Sequence, residues 1–444
     1  MSQVNLGLGT IFFIKVSALG KKVFLPLQEY LVNRLEKLMV KEWRVFMKGK
    51  LGRVLLCFAL LITLVGIDAP FVQAEEGELN LAPAAKSAIV MDMDTGKVVY
   101  EKEADLRLPP ASITKIMTML LVMEAIEAGK LDWQDEVRTS ERAASMGGSQ
   151  IFLEPGEIMT VEDLMKGVAI ASANDASVAL AEHVAGTEEN FVRMMNEKAK
   201  ELGLTNTHFV NTNGLPAPEH YTSARDIAVM SRELLKHDEI TRFTGLYEDY
   251  LRKDSDRPFW LVNTNRLVKF YDGMDGLKTG YTSEAKYCLA ATAKRGDMRL
   301  IAVVMGAPNP KERNKTITQM LDYVFNHYQI HPIYRAGDRL DTVTVDKGEK
   351  TKLDLIAPSQ ISVLTKKGES VDEFKTTIHK PPFLLAPVQK GDVVGRVTVE
   401  RNGTLETELD ITAQEDVAKA SYWQLLKRTG AVLYNVPVRQ EHTS

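Results

Sequence analysis

The chain has 444 residues, 45% of them hydrophobic and 26% charged, with a formal net charge of −4. Those fractions are ordinary for a globular protein and leave room for roughly two to three domains. The first 74 residues are basic, so the remainder is acidic by about ten charges; such a body has no basic stripe to neutralise phosphates, which argues against nucleic acid as a partner.

The first element in chain order is a targeting segment. Arg44, Lys48, Lys50 and Arg53 precede the apolar run Val54 to Ile62, and Val72-Gln73-Ala74 fits a small-residue cleavage site before Glu75. This is the layout of a secretory signal peptide over residues 47–74; an uncut membrane anchor is the alternative. Cys57 follows bulky Leu56, which does not suit lipoprotein cleavage. Met47-Lys48-Gly49-Lys50 resembles a natural beginning, so residues 1–46 read as an overextended start. An amphipathic leader, with Leu31, Leu35 and Leu38 on one helical face, is the other reading. Export to an oxidising compartment with only Cys288 left rules out an intrachain disulfide in the mature chain. Cys288, between Tyr287 and Leu289, reads as a buried inert thiol.

Next, Ala88–Met91 and Val98–Tyr100 read as two strands joined by the Asp94-Thr95-Gly96 turn. Leu108-Pro109-Pro110 breaks the chain, and a helix is expected from Ser112 to Ala128, ending at Gly129. It is apolar on nearly every face, as a helix inside a domain would be. Thr160 starts another helix, with Asp163 as its reciprocal cap. Ser172-Ala173-Asn174 interrupts that pattern, which resumes over Val178 to Val184. Asn213-Gly214 is a tight turn and Ser223 to Leu235 a helix; Leu277–Tyr281, Tyr287–Thr292 and Leu300–Met305 read as strands, and Ile317–Tyr328 as a closing helix. Helices between early and late strands predict α/β or α+β layer packing over residues 80–332. Residues 336–412 change character: short β-branched runs alternate with Lys-Gly and Asn-Gly turns, predicting a small all-β domain. The tail from Glu415 to Arg428, within residues 413–436, reads as an amphipathic helix. Ala418, Tyr422, Leu425 and Leu426 share a face, with Trp423 beside them and Lys419, Lys427 and Arg428 as basic partners. It lies either in a membrane interface or against its own protein.

Three short elements carry the chemistry. Ser112 and Lys115 are three apart on the expected helix, so both project from one face. A serine hydroxyl is a weak nucleophile and needs a base. Lysine can serve only when neutral, and two effects would lower its pKa: the apolar surroundings and a second cation, for which Lys278 is the candidate. The Ser112 N–H, at the helix start, would face a developing oxyanion. In Ser172-Ala173-Asn174, the hydroxyl would relay a proton between Lys115 and the leaving group, and the Asn174 amide would hold a substrate amide and orient the lysine. In Lys278-Thr279-Gly280, the lysine would meet a substrate carboxylate and Thr279 would add a hydrogen bond. Gly280 would let the substrate backbone approach, and the Tyr281 N–H would be a second oxyanion donor. Each triplet alone is a weak signal; together, and in this order, they point to acyl transfer through a serine ester.

On these residues the chain resembles the serine-type D-alanyl-D-alanine carboxypeptidases, low-molecular-mass penicillin-binding proteins. The likeness extends to Phe152-Leu153-Glu154-Pro155-Gly156, Ile170 to Ala176, Asn213-Gly214-Leu215, His220 to Ala224 and Gly276 to Thr282, and covers residues 80–412. It implies a β-lactamase/transpeptidase-like catalytic domain with a small all-β C-terminal domain. It implies a peptidoglycan stem peptide ending in D-Ala-D-Ala as substrate and acylation by β-lactam antibiotics. Ser112 would be the nucleophile, Lys115 the base, Ser172 the relay and Lys278 the carboxylate anchor. It further implies a C-terminal helix on the outer face of the cytoplasmic membrane, and no metal or organic cofactor. One departure is Lys286, where the family tends to carry glycine. Rival readings are a β-lactamase, for which no deacylating glutamate is evident, a DD-endopeptidase, and a penicillin-binding sensor that is acylated once without turnover.

Overall fold

The computed structural model describes residues 79–434. The expected leader and signal peptide, and the last residues of the tail, lie outside the described residues.

From residue 80 onward the chain is one unit. Its centre is an antiparallel sheet of β1 (Ser87–Asp92), β2 (Val98–Lys102), β3 (Met274–Thr282), β4 (Lys286–Arg295) and β5 (Met298–Ala307), in the order β2-β1-β5-β4-β3. Side chains alternate across a strand, and here both faces are covered. Ile89, Met91, Ala290, Ile301 and Val303 enter one core. Ala88, Val90, Leu289, Ala291, Leu300 and Ala302 enter the other. The strands therefore read as continuous apolar runs. Helices α1 (Lys115–Glu127), α2 (Val161–Ile170), α3 (Asn174–Ala185) and α4 (Ala224–Leu234) build the first core. Helix α5 (Pro310–His327) packs Ile317, Met320, Leu321 and Val324 into the second.

Local chemistry sets these boundaries. Every residue from Lys115 to Met123 is buried, which explains why α1 has no polar face. Thr160 Oγ1 accepts from the Asp163 N–H (3.2 Å) and Ser223 Oγ from the Asp226 N–H (3.1 Å), capping α2 and α4. Helix α5 starts seven residues before the expected Ile317. Asn309 caps it by accepting from the Glu312 N–H (2.9 Å), and Pro310 opens it. Its first two turns bury Arg313 and Thr316 instead of hydrocarbon, so apolar periodicity does not reveal them.

Beyond α5 the chain forms a two-stranded ladder, Tyr328–Tyr334 with Ile361–Lys366, and a six-stranded sheet around a third apolar core. The Asn402-Gly403 turn has both residues at positive φ (52° and 78°), the hairpin geometry this dipeptide favours. The expected tail helix needs correction: α6 spans Tyr422–Tyr434, not Glu415 to Arg428. Residues before it form a strap. Val417 is buried in the third core and pairs with Val388, and the Ala418 carbonyl accepts from the Glu349 N–H (2.8 Å). Ala418 therefore does not share a helical face with Tyr422.

Candidate active site

Ser112 lies in a 3-10 turn, Ala111–Thr114, that runs straight into α1. The turn holds Ala111 at φ +49°, a conformation unusual for a residue with a side chain. Thr114 keeps it there: its hydroxyl donates to the Ala111 carbonyl (2.8 Å) and meets His220 Nε2 (2.9 Å). His220 Nδ1 accepts from the Val210 N–H (2.9 Å), which leaves the ring proton on Nε2, facing Thr114. Burial pushes the His220 pKa down to about 4, with His208 adding to the effect, so the ring is a neutral strut. Gly214, at φ +87°, packs so close to this turn that a Cβ there would overlap the Ala111 carbonyl.

One turn on, Lys115 Nζ is fully enclosed. Its nitrogen donates to Asn174 Oδ1 (2.6 Å) and the Asn213 carbonyl (2.7 Å) and lies 3.2 Å from Ser112 Oγ. Burial holds its pKa well below the ordinary lysine value, Lys278 lowers it further, and Asp175 opposes them. An amine at hydrogen-bond distance from a hydroxyl, with its pKa lowered by its surroundings, has the placement a general base needs.

Ser172 and Asn174 sit at the break between α2 and α3, where Ser172 adopts φ +64°. Asn174 is tied down at both ends. Its Nδ2 donates to the Gly147 carbonyl (2.6 Å) and its backbone N–H to Ser149 (2.7 Å). Next to it, the buried Asp175 carboxylate accepts from the N–H groups of Ile151, Leu153 (3.1 Å) and Ala176 (2.9 Å), pinning the 147–153 loop to the start of α3.

Lys278, Thr279, Gly280 and Tyr281 lie on β3, the free edge of the central sheet. Gly280 is close to the nucleophile turn. A Cβ on it would stand 2.9 Å from the Pro110 carbonyl and 3.2 Å from Ala111 Cβ. The space left by its missing side chain thus admits the Ser112 turn. Lys278 is buried, and its Nζ donates to the Thr279 carbonyl (3.0 Å). Its pKa is pushed down to about 7, by burial first and then by Arg313. Thr279 donates to Thr264 Oγ1 (2.7 Å), and Tyr281, half-exposed, packs its ring against that of Tyr287 at 4.4 Å between centroids, tilted by 33°.

The structure thus brings Ser112, Lys115, Asn174 and the 278–281 strand together, with Ser172 two residues from Asn174. Sequence reasoning missed four contributors. The Asn213 carbonyl belongs to a turn that was legible, but nothing in a sequence says where a carbonyl points. Arg313, on α5, acts on Lys278 through its charge from a distant part of the sequence and leaves no local signal. Thr114 and His220 are 106 residues apart and meet only in the fold. Lys286, at φ +58°, occupies a position where glycine would be unstrained. Cys288 is buried with its thiol pushed up to about 11, chiefly by burial, and carries no reactivity of its own.

With this geometry in hand, the comparison with known proteins decides the family. The family profile of D-alanyl-D-alanine carboxypeptidases matches residues 73–309, and that of the penicillin-binding protein 5 C-terminal domain matches 328–419. The chain belongs to the D-alanyl-D-alanine carboxypeptidase family. It is 56% identical over 350 residues to D-alanyl-D-alanine carboxypeptidase DacF of Bacillus subtilis, covering 79% of this chain and 90% of that one. It is 37% identical to DacC of Escherichia coli, over 76% and 86% of the two chains. Among solved structures, penicillin-binding protein 5 from Haemophilus influenzae superposes with a TM-score of 0.60 at 32% identity, over 76% of this chain and 98% of that one. This carboxypeptidase is therefore a serine peptidase of the penicillin-binding protein family, with a catalytic domain followed by an all-β domain. Penicillin-binding protein D2 from Listeria monocytogenes, 31% identical over 55% of this chain and 97% of that one with a TM-score of 0.50, has been solved with cefotaxime bound.

Proposed function

We propose that Ser112 is the nucleophile, Lys115 its base, Ser172 the proton relay, and Lys278 with Thr279 the anchor for the substrate's terminal carboxylate. The observation that carries this reading is the Lys115 amine, buried and 3.2 Å from Ser112 Oγ. Ser112 Oγ attacks the carbonyl carbon of the D-Ala–D-Ala bond while its proton passes to Lys115 Nζ. The tetrahedral oxyanion is met by the Ser112 and Tyr281 N–H groups. Lys115 returns the proton through the Ser172 hydroxyl to the leaving nitrogen, the C–N bond breaks, and free D-alanine departs. Water then hydrolyses the acyl-serine. Asn174 fixes Lys115 and presents an amide to the substrate chain. Arg313 supports the cationic field that attracts the carboxylate, since among the described residues no acidic side chain forms an ion pair with Lys115, Lys278 or Arg313. A β-lactam enters by the same attack and leaves Ser112 acylated.

Incubation with a pentapeptide ending in D-Ala-D-Ala, with mass spectrometry of protein and peptide, tests the reading. Loss of one D-alanine per peptide with turnover supports it; stoichiometric labelling without release refutes it.

The same proposal places the enzyme outside the cytoplasmic membrane, on the strength of the signal-like segment 47–74, with the catalytic domain over residues 80–332 and the β domain over 336–412. It seats the tail on the membrane surface. Among the described residues no helix is long and apolar enough to span a bilayer. Helix α6 exposes Tyr422 and Trp423, at 72% and 68%, beside Leu426, the composition of an interfacial helix.

A further inference from the structure

The direction of the bound peptide follows from the reading above. Its carboxylate meets Lys278 and its scissile carbonyl meets Ser112, whose turn packs beside Gly280. β3 is an edge strand, so a peptide can add to it. Its N-terminal part must then run on toward Thr282. There a cavity of about 330 Å³ opens, bounded by the segment leading to Ser112, the 214–221 loop and the end of β3.

The chemistry of its walls is uneven. Leu215, Pro216 and Pro218 give an apolar side. Arg107 is held in place: its guanidinium lies 4.8 Å over the Tyr221 ring and donates to Asn206 Oδ1 (3.1 Å) and the Thr205 carbonyl (3.2 Å). Those bonds use two of the five N–H donors of an arginine. Glu219 and Glu284 complete the lining. Among the described residues none of these three charges forms an ion pair, although surface charges elsewhere on the chain pair freely, as Arg225 does with Glu101 and Asp105. A fixed arginine, two carboxylates and an apolar wall in one cavity match a side chain with a methylene stem and a zwitterionic end.

We propose that this cavity receives the side chain of the residue preceding D-Ala-D-Ala, and that it selects a residue of the 2,6-diaminodicarboxylic acid type over lysine. The methylenes lie along Leu215 and the prolines, the distal carboxylate pairs with Arg107, and the ammonium pairs with Glu219 and Glu284. A lysine side chain satisfies the glutamates but leaves Arg107 without a partner. The proposal rests on the D,D-carboxypeptidase reading of the Ser112 cleft.

The test uses the full chain and two synthetic peptides, identical except that one carries meso-2,6-diaminopimelate and the other L-lysine before D-Ala-D-Ala. D-Alanine release gives kcat/KM for each. The wild-type ratio should favour the diaminodicarboxylate by about tenfold, the scale of one charge-assisted hydrogen bond. In Arg107→Ala the ratio should fall to about one, with the change in KM and not in kcat. A double Glu219→Gln, Glu284→Gln variant should weaken both peptides. A wild-type ratio near one, or a ratio that survives Arg107→Ala, overturns the subsite. Release from neither peptide by wild-type enzyme that penicillin still acylates would overturn the peptidase reading itself, and the subsite with it.

Discussion

At the scale of single residues, the question is which nitrogen deprotonates Ser112. Lys115→Ala removes it, and acylation by penicillin, followed by mass spectrometry, should slow by at least about a hundredfold. Lys115→Arg is the sharper variant, because a guanidinium stays protonated and cannot accept the proton. It should fail equally while keeping the fold, and normal labelling of either variant would remove Lys115 from the role. Lys278 makes a separate prediction through pH. Its charged form binds the carboxylate, and burial and Arg313 bring its pKa to about 7. kcat/KM should therefore fall on the alkaline side with a midpoint near 7 as Lys278 loses its proton. It should also fall on the acid side as Lys115 gains one. Lys278→Arg should abolish the alkaline limb, and a limb that persists unchanged would assign it to another group. The Ser112–Lys115 pair was legible because three residues along a helix is a fixed geometry. Asn213 and Arg313 were not, since a backbone carbonyl has no residue signature and Arg313 reaches Lys278 only through the tertiary fold.

At the scale of elements, β1 ends on a strained choice. Asp92 is buried at the turn into β2. Its Oδ1 accepts from the Thr95 N–H (2.8 Å) and hydroxyl (2.6 Å), while Oδ2 is enclosed without a partner. Burial raises its pKa to about 6, against the help of both Thr95 bonds. A raised carboxyl pKa means the folded state holds the proton longer than the unfolded one. Its contribution to stability is present below the unfolded pKa of 3.8 and lost as pH rises through 6. The loss is about 3 kcal/mol. Asp92→Asn, which keeps the acceptor for Thr95, should remove that decline. Denaturant melts of both proteins at pH 4 and pH 8 measure it, and parallel pH curves would show that Asp92 is not the source. The same element scale explains what sequence did and did not disclose. The sheet strands are legible in the sequence but their ends are not, because those ends carry polar residues such as Lys286 and Arg295. The tail departs from its helical pattern because Val417 and Ala418, apolar and helix-compatible, serve as a strand-like strap on the third core.

At the scale of the molecule, the two domains are fastened by few but specific bonds. Asp94 Oδ2 accepts from Gln360 (2.7 Å) and Ser362 (3.1 Å), Lys97 pairs with Glu406 (2.9 Å) and Arg335 with Asp297 (3.2 Å), while Leu364 enters the second core. The β domain is thus a fixed extension of the catalytic domain, and the tail is fixed to the β domain. Arg428 donates to the Gly348 and Glu349 carbonyls (both 2.6 Å), and Val417 is fully buried. Two truncations separate the strap from the helix. A chain ending at Ser421 keeps Val417 and loses α6. It should keep its rate on a soluble pentapeptide, lower its melting temperature by less than loss of Val417 does, since only the two Arg428 bonds go, and lose sedimentation with anionic phospholipid vesicles. A chain ending at Ala413 also loses Val417, and uncovering that residue should cost about 1.5–3 kcal/mol and lower the melting temperature of the β domain. Vesicle binding that survives the shorter of these deletions would detach the membrane contact from α6. An unchanged melt in the longer one would mean that Val417 is not part of what holds the third core together.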